Sequence, residues 1–262
     1  MTKSVEFVGL PGSGKSSLFG IVKAYLRENE FIVSDSANSH MSRELAVRYL
    51  EKKKGERLRR LGIRGSLHYL CQWISGYFKV AAQSVALRSF LYDRTDLVGK
   101  ILTANADRAI PRWEREHILE RYFEAMVHYE LVTALENERH VIMTDPGFVQ
   151  RGIALFGYGR LSVDEEKFGS FVGVVPRPDL LISVEVSPKT ATERLRTRGF
   201  PRRLEGMELD VIQQSLTQTA NCIDIARNVL EKRGTVSLVI DNECPLDVAL
   251  NVLQSELANL SL

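Results

Sequence analysis

An α/β protein built on a parallel sheet is what the sequence predicts, from three observations. Five short apolar runs fall at about 4–9, 30–35, 139–145, 179–186 and 235–241, each rich in Val, Ile or Leu and closed by polar residues. Continuous runs of this kind suit strands buried on both faces. Helical patterns lie between them, the mark of βαβ crossovers. A glycine-rich turn follows the first run directly.

That turn is the most specific feature of the chain. Gly9-Leu10-Pro11-Gly12-Ser13-Gly14-Lys15-Ser16 contains G-x-x-x-x-G-K-S intact, with Ser17 beyond it. Glycines at 9, 12 and 14 let backbone N–H groups approach an anion closely. A helix starting near Gly14 adds the positive end of its dipole. Lys15 then reaches the β- and γ-phosphates, and the Ser16 hydroxyl can complete a Mg²⁺ shell. The pattern predicts a nucleoside triphosphate site, with ATP and Mg²⁺ as ligands.

Bulk properties set the remaining bounds. A chain of 262 residues, 44% hydrophobic and 26% charged, has ordinary globular composition and enough length for one large domain with a proper core. The net charge of +2 argues neither for nor against nucleic acid, and no such partner is expected. Cys71, Cys222 and Cys244 are widely spaced with no CxxC pair, so they read as reduced thiols in a cytoplasmic protein. The first strand begins almost at once, so no signal peptide is expected. The most apolar stretch, 66–91, is broken by Lys79 and Arg88, so no membrane span is expected. The five histidines show no metal-ligand spacing.

Parallel sheets bind ligands beyond the carboxyl ends of their strands, which directs attention to Asp35, Asp145 and Asp241. Asp145 can hold Mg²⁺ through water or take a proton from an attacking hydroxyl; Asp-Pro-Gly is also good turn chemistry. Asp35 can orient or deprotonate an acceptor, or cap the next helix. After the fourth strand stand Arg194, Arg196, Arg198, Arg202 and Arg203, interrupted by Gly199 and Pro201. Guanidinium groups suit phosphate oxygens, and the glycine and proline suggest a flap that closes over a nucleotide.

The stretch from 41 to 138 carries little strand signal and reads as a helical insertion between the second and third strands. One helix starts near Ser42, and 112–137 is a long amphipathic one. Between Arg43 and Arg64, nine basic residues stand against three glutamates, and an aromatic, mostly apolar run follows. A solvated helix followed by a core helix accounts for this. An acceptor pocket, or peripheral membrane contact through 43–91, are the alternatives.

These residues resemble the P-loop kinases of the nucleoside and nucleoside-monophosphate kinase type, thymidylate kinase nearest among them. The resemblance rests on Gly9 to Ser17, Asp145-Pro146-Gly147-Phe148, Pro178 to Ile182, Pro188 with Arg194 and Arg198-Gly199, and Asp241 to Pro245. It implies one P-loop NTPase domain over 1–262, a three-layer α/β/α fold whose five parallel strands run in the order 2-3-1-4-5. An arginine-rich lid would span about 188–207. Lys15 and Ser16 would serve ATP and Mg²⁺, Arg194 and Arg198 would belong to the lid, and Asn242, Cys244 and Pro245 would contact adenine. Two departures touch the acceptor side: Pro146 follows Asp145 where thymidylate kinases carry arginine, and Asp35-Ser36-Ala37 replaces a glutamate-proline sequence.

The expected activity is transfer of the γ-phosphoryl group of ATP to a small acceptor, foremost a nucleoside or nucleotide. A sugar, antibiotic or lipid-linked hydroxyl, or a regulatory ATPase role, are the alternatives. Lys15, Asp35, Asp145, Arg194 and Arg198 are the catalytic candidates, with Ser16 and Asp145 for the metal. Asp35 and Arg151 are the acceptor-side candidates; Arg151 lies one to two turns past Asp145 on a predicted helix. A phosphorylated acceptor would turn to Arg94, Arg108, Arg112 or Arg115 on the insertion. A homodimer is left open.

Overall fold

Apolar side chains that alternate between two packed faces account for the sheet. The computed structural model describes residues 3–35, 49, 75–107, 110–134, 140–243, 248 and 253. Its strands are β1 (Lys3–Gly9), β2 (Ile32–Asp35), β3 (His140–Thr144), β4 (Leu180–Glu185) and β5 (Val236–Asp241). All pairings are parallel, in the order β2-β3-β1-β4-β5. This is the three-layer P-loop NTPase arrangement, with the expected order.

Along β1 and β4, Val5, Phe7, Leu180, Ile182 and Val184 face α1 (Lys15–Glu28), whose Leu18, Phe19, Val22 and Leu26 fill that layer. Val8 and Leu181 turn to the other face and meet the remaining helices. The helix stripe repeats every three or four residues and the strand pattern every two, so both elements bury one continuous surface. The edge strand β5 departs from the expectation of burial on both faces. Leu238 and Ile240 are buried, while Val236 and Val239 are about half in solvent.

The helical insertion contributes α2 (Ser75–Asp93), α3 (Thr95–Asn105) and α4 (Arg112–Thr133) among the described residues. The basic run 43–64, the helix start near Ser42 and Arg108 lie outside them. Next come α5 (Phe148–Phe156) and α6 (Glu165–Val172), then α7 (Pro188–Arg198) and α8 (Leu209–Lys232). Ser187 caps α7 through the amide of Thr190, Pro188 opens it, and Gly199 at φ 104° ends it. None of the helices described is long and apolar enough to cross a membrane. Cys222 is buried against Gly157, and burial pushes its thiol up to about 12, as suits a small core residue.

Candidate functional site

The phosphate-type loop is held in shape from three directions. A Cβ on Gly9 would sit 2.5 Å from the carbonyl oxygen of Val184 on β4, so only glycine fits beside that strand. Gly14 adopts φ 91°, and a Cβ there would meet Nδ2 of Asn242 at 2.4 Å. That amide donates to Ser13 O at 2.7 Å, tying the end of β5 to the loop. Arg194 donates from Nη1 to Gly12 O at 3.4 Å and from Nη2 to Asn242 O at 2.8 Å. No side chain caps α1; the amides of Ser17 and Leu18 turn back to Gly14 O, while those of Lys15 and Ser16 precede any intrahelical acceptor, so the end of the helix is open to an anion. The Ser13 hydroxyl is buried with no hydrogen-bond partner.

Lys15 folds back over this loop. Its Nζ donates to Gly9 O at 2.9 Å and Leu10 O at 2.8 Å. Burial lowers the ammonium to about 8; Arg198 pushes the same way and Asp145 opposes both. Ser16 Oγ stands 3.5 Å from Asp145 Oδ2. Adjacent oxygens on a Mg²⁺ ion, each about 2.1 Å from it, lie about 3 Å apart, so this pair fits one divalent cation with little adjustment. Burial raises the Asp145 carboxyl above the usual range, while Lys15, Ser16 and Arg151 pull it back. Next to these groups opens a cleft of about 410 Å³, between the loop and the residues Leu195, Arg198, Phe200 and Pro201.

Two residues the sequence reading missed shape the site from beneath. Glu6, in the interior of β1, is 4% exposed, and its Oε1 accepts the amide of Gln150 at 2.9 Å. Burial lifts its carboxyl to about 8. Gln150 in turn uses Oε1 to accept the amide of Gly9 at 2.9 Å. A glutamate inside an apolar run was the visible signal for the first; nothing local marked the second.

The other expected site residues are distributed as follows. Asp35 ends β2 opposite Met143, two residues short of Asp145, which sets its backbone at the same sheet edge. Arg151 stands on α5, half-buried, with Nε making no hydrogen bond. Leu10, Pro11 and Ser17 belong to the loop and the first turn of α1. The amide of Asn242 donates to Glu185 O and its carbonyl accepts from Arg194, so both backbone groups are engaged within the protein. Cys244 and Pro245 lie outside the described residues.

The arginine cluster needs correction. Arg203 pairs with Glu114 on α4 and donates to the carbonyls of Ala154 and Tyr158, so it is committed away from the loop. Arg202 stacks 4.0 Å from the ring of Trp113. Arg198 is exposed and lines the cleft, close enough to influence Lys15. Arg94 lies against the Phe90 and Tyr129 rings, and Tyr129 lines a pocket with Ser4 and Pro178 at the amino end of the sheet, away from the loop. Arg112 is exposed and paired with Glu116.

Neither family models nor curated proteins match the chain. Among solved structures it is similar to deoxyadenosine kinase from M. mycoides with bound dCTP, at 14% identity and TM-score 0.43, covering 98% of this chain and 100% of that one. The same enzyme with the products dCMP and a flexible dCDP gives 14% and 0.45, over 98% and 100%. With bound dATP it gives 14% and 0.44, over 97% and 99%.

Proposed function

We propose that this chain, as one domain, is an ATP- and Mg²⁺-dependent kinase that transfers the γ-phosphoryl group to a small acceptor, a nucleoside or nucleotide. The observation that carries the reading is the juxtaposition of an open phosphate-type loop, its Lys15 ammonium, and the Ser16–Asp145 pair at 3.5 Å beside a cleft. Loop amides and the end of α1 cradle the phosphates, and Lys15 leaves the Gly9 and Leu10 carbonyls for the stronger β/γ oxygens. Ser16 and Asp145 would hold Mg²⁺, which would supply neutralisation of the phosphate charge. Arg198 approaches from α7 and offsets charge on the transferring group. Arg194 acts from behind the loop, as a positioning residue that fixes Gly12.

In the transfer, the acceptor oxygen bonds to the γ-phosphorus as the bond to the bridging oxygen breaks, and ADP leaves. The acceptor proton passes to a carboxylate, for which Asp35 and Asp145 are the candidates. Replacing Lys15 with Ala tests the reading. A folded K15A protein should lose at least about 100-fold in acceptor-dependent ADP release, on the scale of removing one preorganised charge. Near-wild-type turnover in K15A, or ADP release that no acceptor stimulates, would overturn it, the latter in favour of a regulatory ATPase.

A further inference from the structure

We propose that Asn242 is the positioning residue that orients the phosphate-type loop. By holding Ser13 O behind the loop, its side-chain amide turns the Gly14 N–H into the cleft, so this position serves the phosphates of a nucleotide and not its base. The inference rests on the nucleotide site of the kinase reading and adds to it a residue 229 positions beyond Ser13.

A trans peptide unit points its C=O and its N–H in opposite directions. Whatever fixes the carbonyl of residue 13 therefore fixes the amide of residue 14. Asn242 Nδ2 reaches Ser13 O at 2.7 Å, and Asn242 itself is 5% exposed. One unit earlier, Arg194 Nη1 holds Gly12 O from α7 at 3.4 Å, and the Ser13 amide turns inward to Leu10 O at 3.0 Å. Two successive carbonyls thus face the β5 and α7 side, and the amides of the same units face the interior of the loop. The Gly14 amide makes no hydrogen bond among the described residues, and Gly14 lines the cleft together with Lys15 and Ser16. It continues the row of open amides at the start of α1, and adjacent free N–H groups form an anion nest. Without the Asn242 bond the unit between Ser13 and Gly14 is free to rotate. A carbonyl turned inward would then set the negative end of its dipole against the phosphates.

The glycines of the loop supply a second, independent observation. A Cβ on Gly14 would lie 2.4 Å from Asn242 Nδ2, and one on Gly12 would lie 3.2 Å from Ala191 O on α7. Each glycine is thus the floor on which one support rests. Asn242 also joins the two supports. Its carbonyl accepts Arg194 Nη2 at 2.8 Å. The adjacent Glu243 accepts the amide of Ser187 and, at 2.7 Å, the hydroxyl of Thr190, both at the start of α7. The backbone groups of Asn242 and its side-chain donor are all committed inside the protein, so its effect on a nucleotide runs through the loop.

Binding of inorganic tripolyphosphate·Mg²⁺ separates the phosphates from the base. In Asn242→Ala, the Kd for tripolyphosphate and the Kd for ATP·Mg²⁺ should rise together by about 10- to 100-fold, the scale of one hydrogen bond to a charged group. The ratio of ATP to GTP affinity should stay at its wild-type value. Asn242→Ser keeps a shorter donor on the same backbone, should fall between the two, and stands in if N242A does not fold. A loss confined to ATP, a changed ATP-to-GTP ratio, or no loss for tripolyphosphate would overturn the inference. The Gly14 amide reports directly in protein labelled with ¹⁵N-glycine. Its proton resonance should move downfield on adding tripolyphosphate·Mg²⁺ to the wild type, and by less in N242S. A resonance that stays in place in the wild type, or moves equally in both proteins, would also overturn it. These readings need no turnover. A protein that gives them yet phosphorylates no acceptor would lose the kinase reading and keep Asn242 as the residue that shapes the loop.

Discussion

The Oε1 atom of Glu6 accepts the backbone amide of Gln150 at 2.9 Å, although the two residues lie 144 positions apart. Through this bond a carboxyl inside the central strand occupies the start of α5. The side chain of Gln150 then reaches the amide of Gly9, where the phosphate-type loop begins. One short relay thus sets the height of the loop against the helix that carries Arg151.

This relay gives stability a definite pH dependence. The Glu6 carboxyl rises from 4.5 to about 8 through burial, so the folded protein keeps a proton that the unfolded chain releases. Its contribution is fully present below about 4.5 and is lost as pH rises towards 8, by roughly 1 kcal/mol per unit. Glu6→Gln keeps a carbonyl acceptor for the Gln150 amide and removes the titration. Urea unfolding at pH 5, 6, 7 and 8 should show the wild type losing ground steadily to E6Q. A stability difference constant across that range would refute the assignment.

Nucleotide affinity should depend on the protonation of Lys15. With the ammonium lowered to about 8, free protein above that pH must take up a proton to bind phosphates. The Kd for ATP·Mg²⁺, measured calorimetrically, should be level from pH 6.5 to 7.5 and then rise by up to about tenfold per unit. Arg198→Ala removes a like charge, so its break should move to higher pH. A break at the same pH in both proteins would show that Arg198 does not act on Lys15.

Arg203 latches the segment after α7 to the insertion, and that bond should be expensive to break. Its side chain and that of Glu114 are 16% and 12% exposed. Glu114→Ala leaves a shielded guanidinium without its counter-ion and should cost about 2–4 kcal/mol, whereas Arg202→Ala, which removes a more exposed contact to Trp113, should cost under about 1 kcal/mol. Hydrogen exchange on adding an ATP analogue should therefore fall around 196–201 and change little at 203–206. Strong protection gained at 203–206 would mean that the latch opens without nucleotide.

The sheet was legible because strands sealed on both faces write themselves as unbroken apolar runs. All five runs match the structure within two residues at each end. The loop was legible because glycine at 9 and 14 answers a local demand, a close strand and a left-handed turn. The strand order came from resemblance, since βαβ spacing alone does not say which strands neighbour one another. What escaped the reading depends on partners far away in sequence. Five clustered arginines look alike, yet Arg194 braces Gly12, Arg203 meets a glutamate 89 positions earlier, and Arg198 faces the cleft. Gln150 is an ordinary polar residue on a helix until Gly9 is packed beside it.

The crossed order of the sheet has a temporal consequence. β1 is made long before its neighbours β3 and β4, which begin at residues 140 and 180, and Asn242, which grips Ser13, comes later still. At about 5–20 residues per second, a ribosome needs on the order of 10–50 seconds to travel from the glycine turn to that asparagine. Until residue 140 is made the turn has no neighbouring strand to shape it, and until residue 180 it lacks the strand against which Gly9 packs. The nascent turn therefore gains its full shape only after Asn242 has been made, and a stall before β4 would leave a long polypeptide whose best-marked sequence motif lacks the strand and the asparagine that hold it.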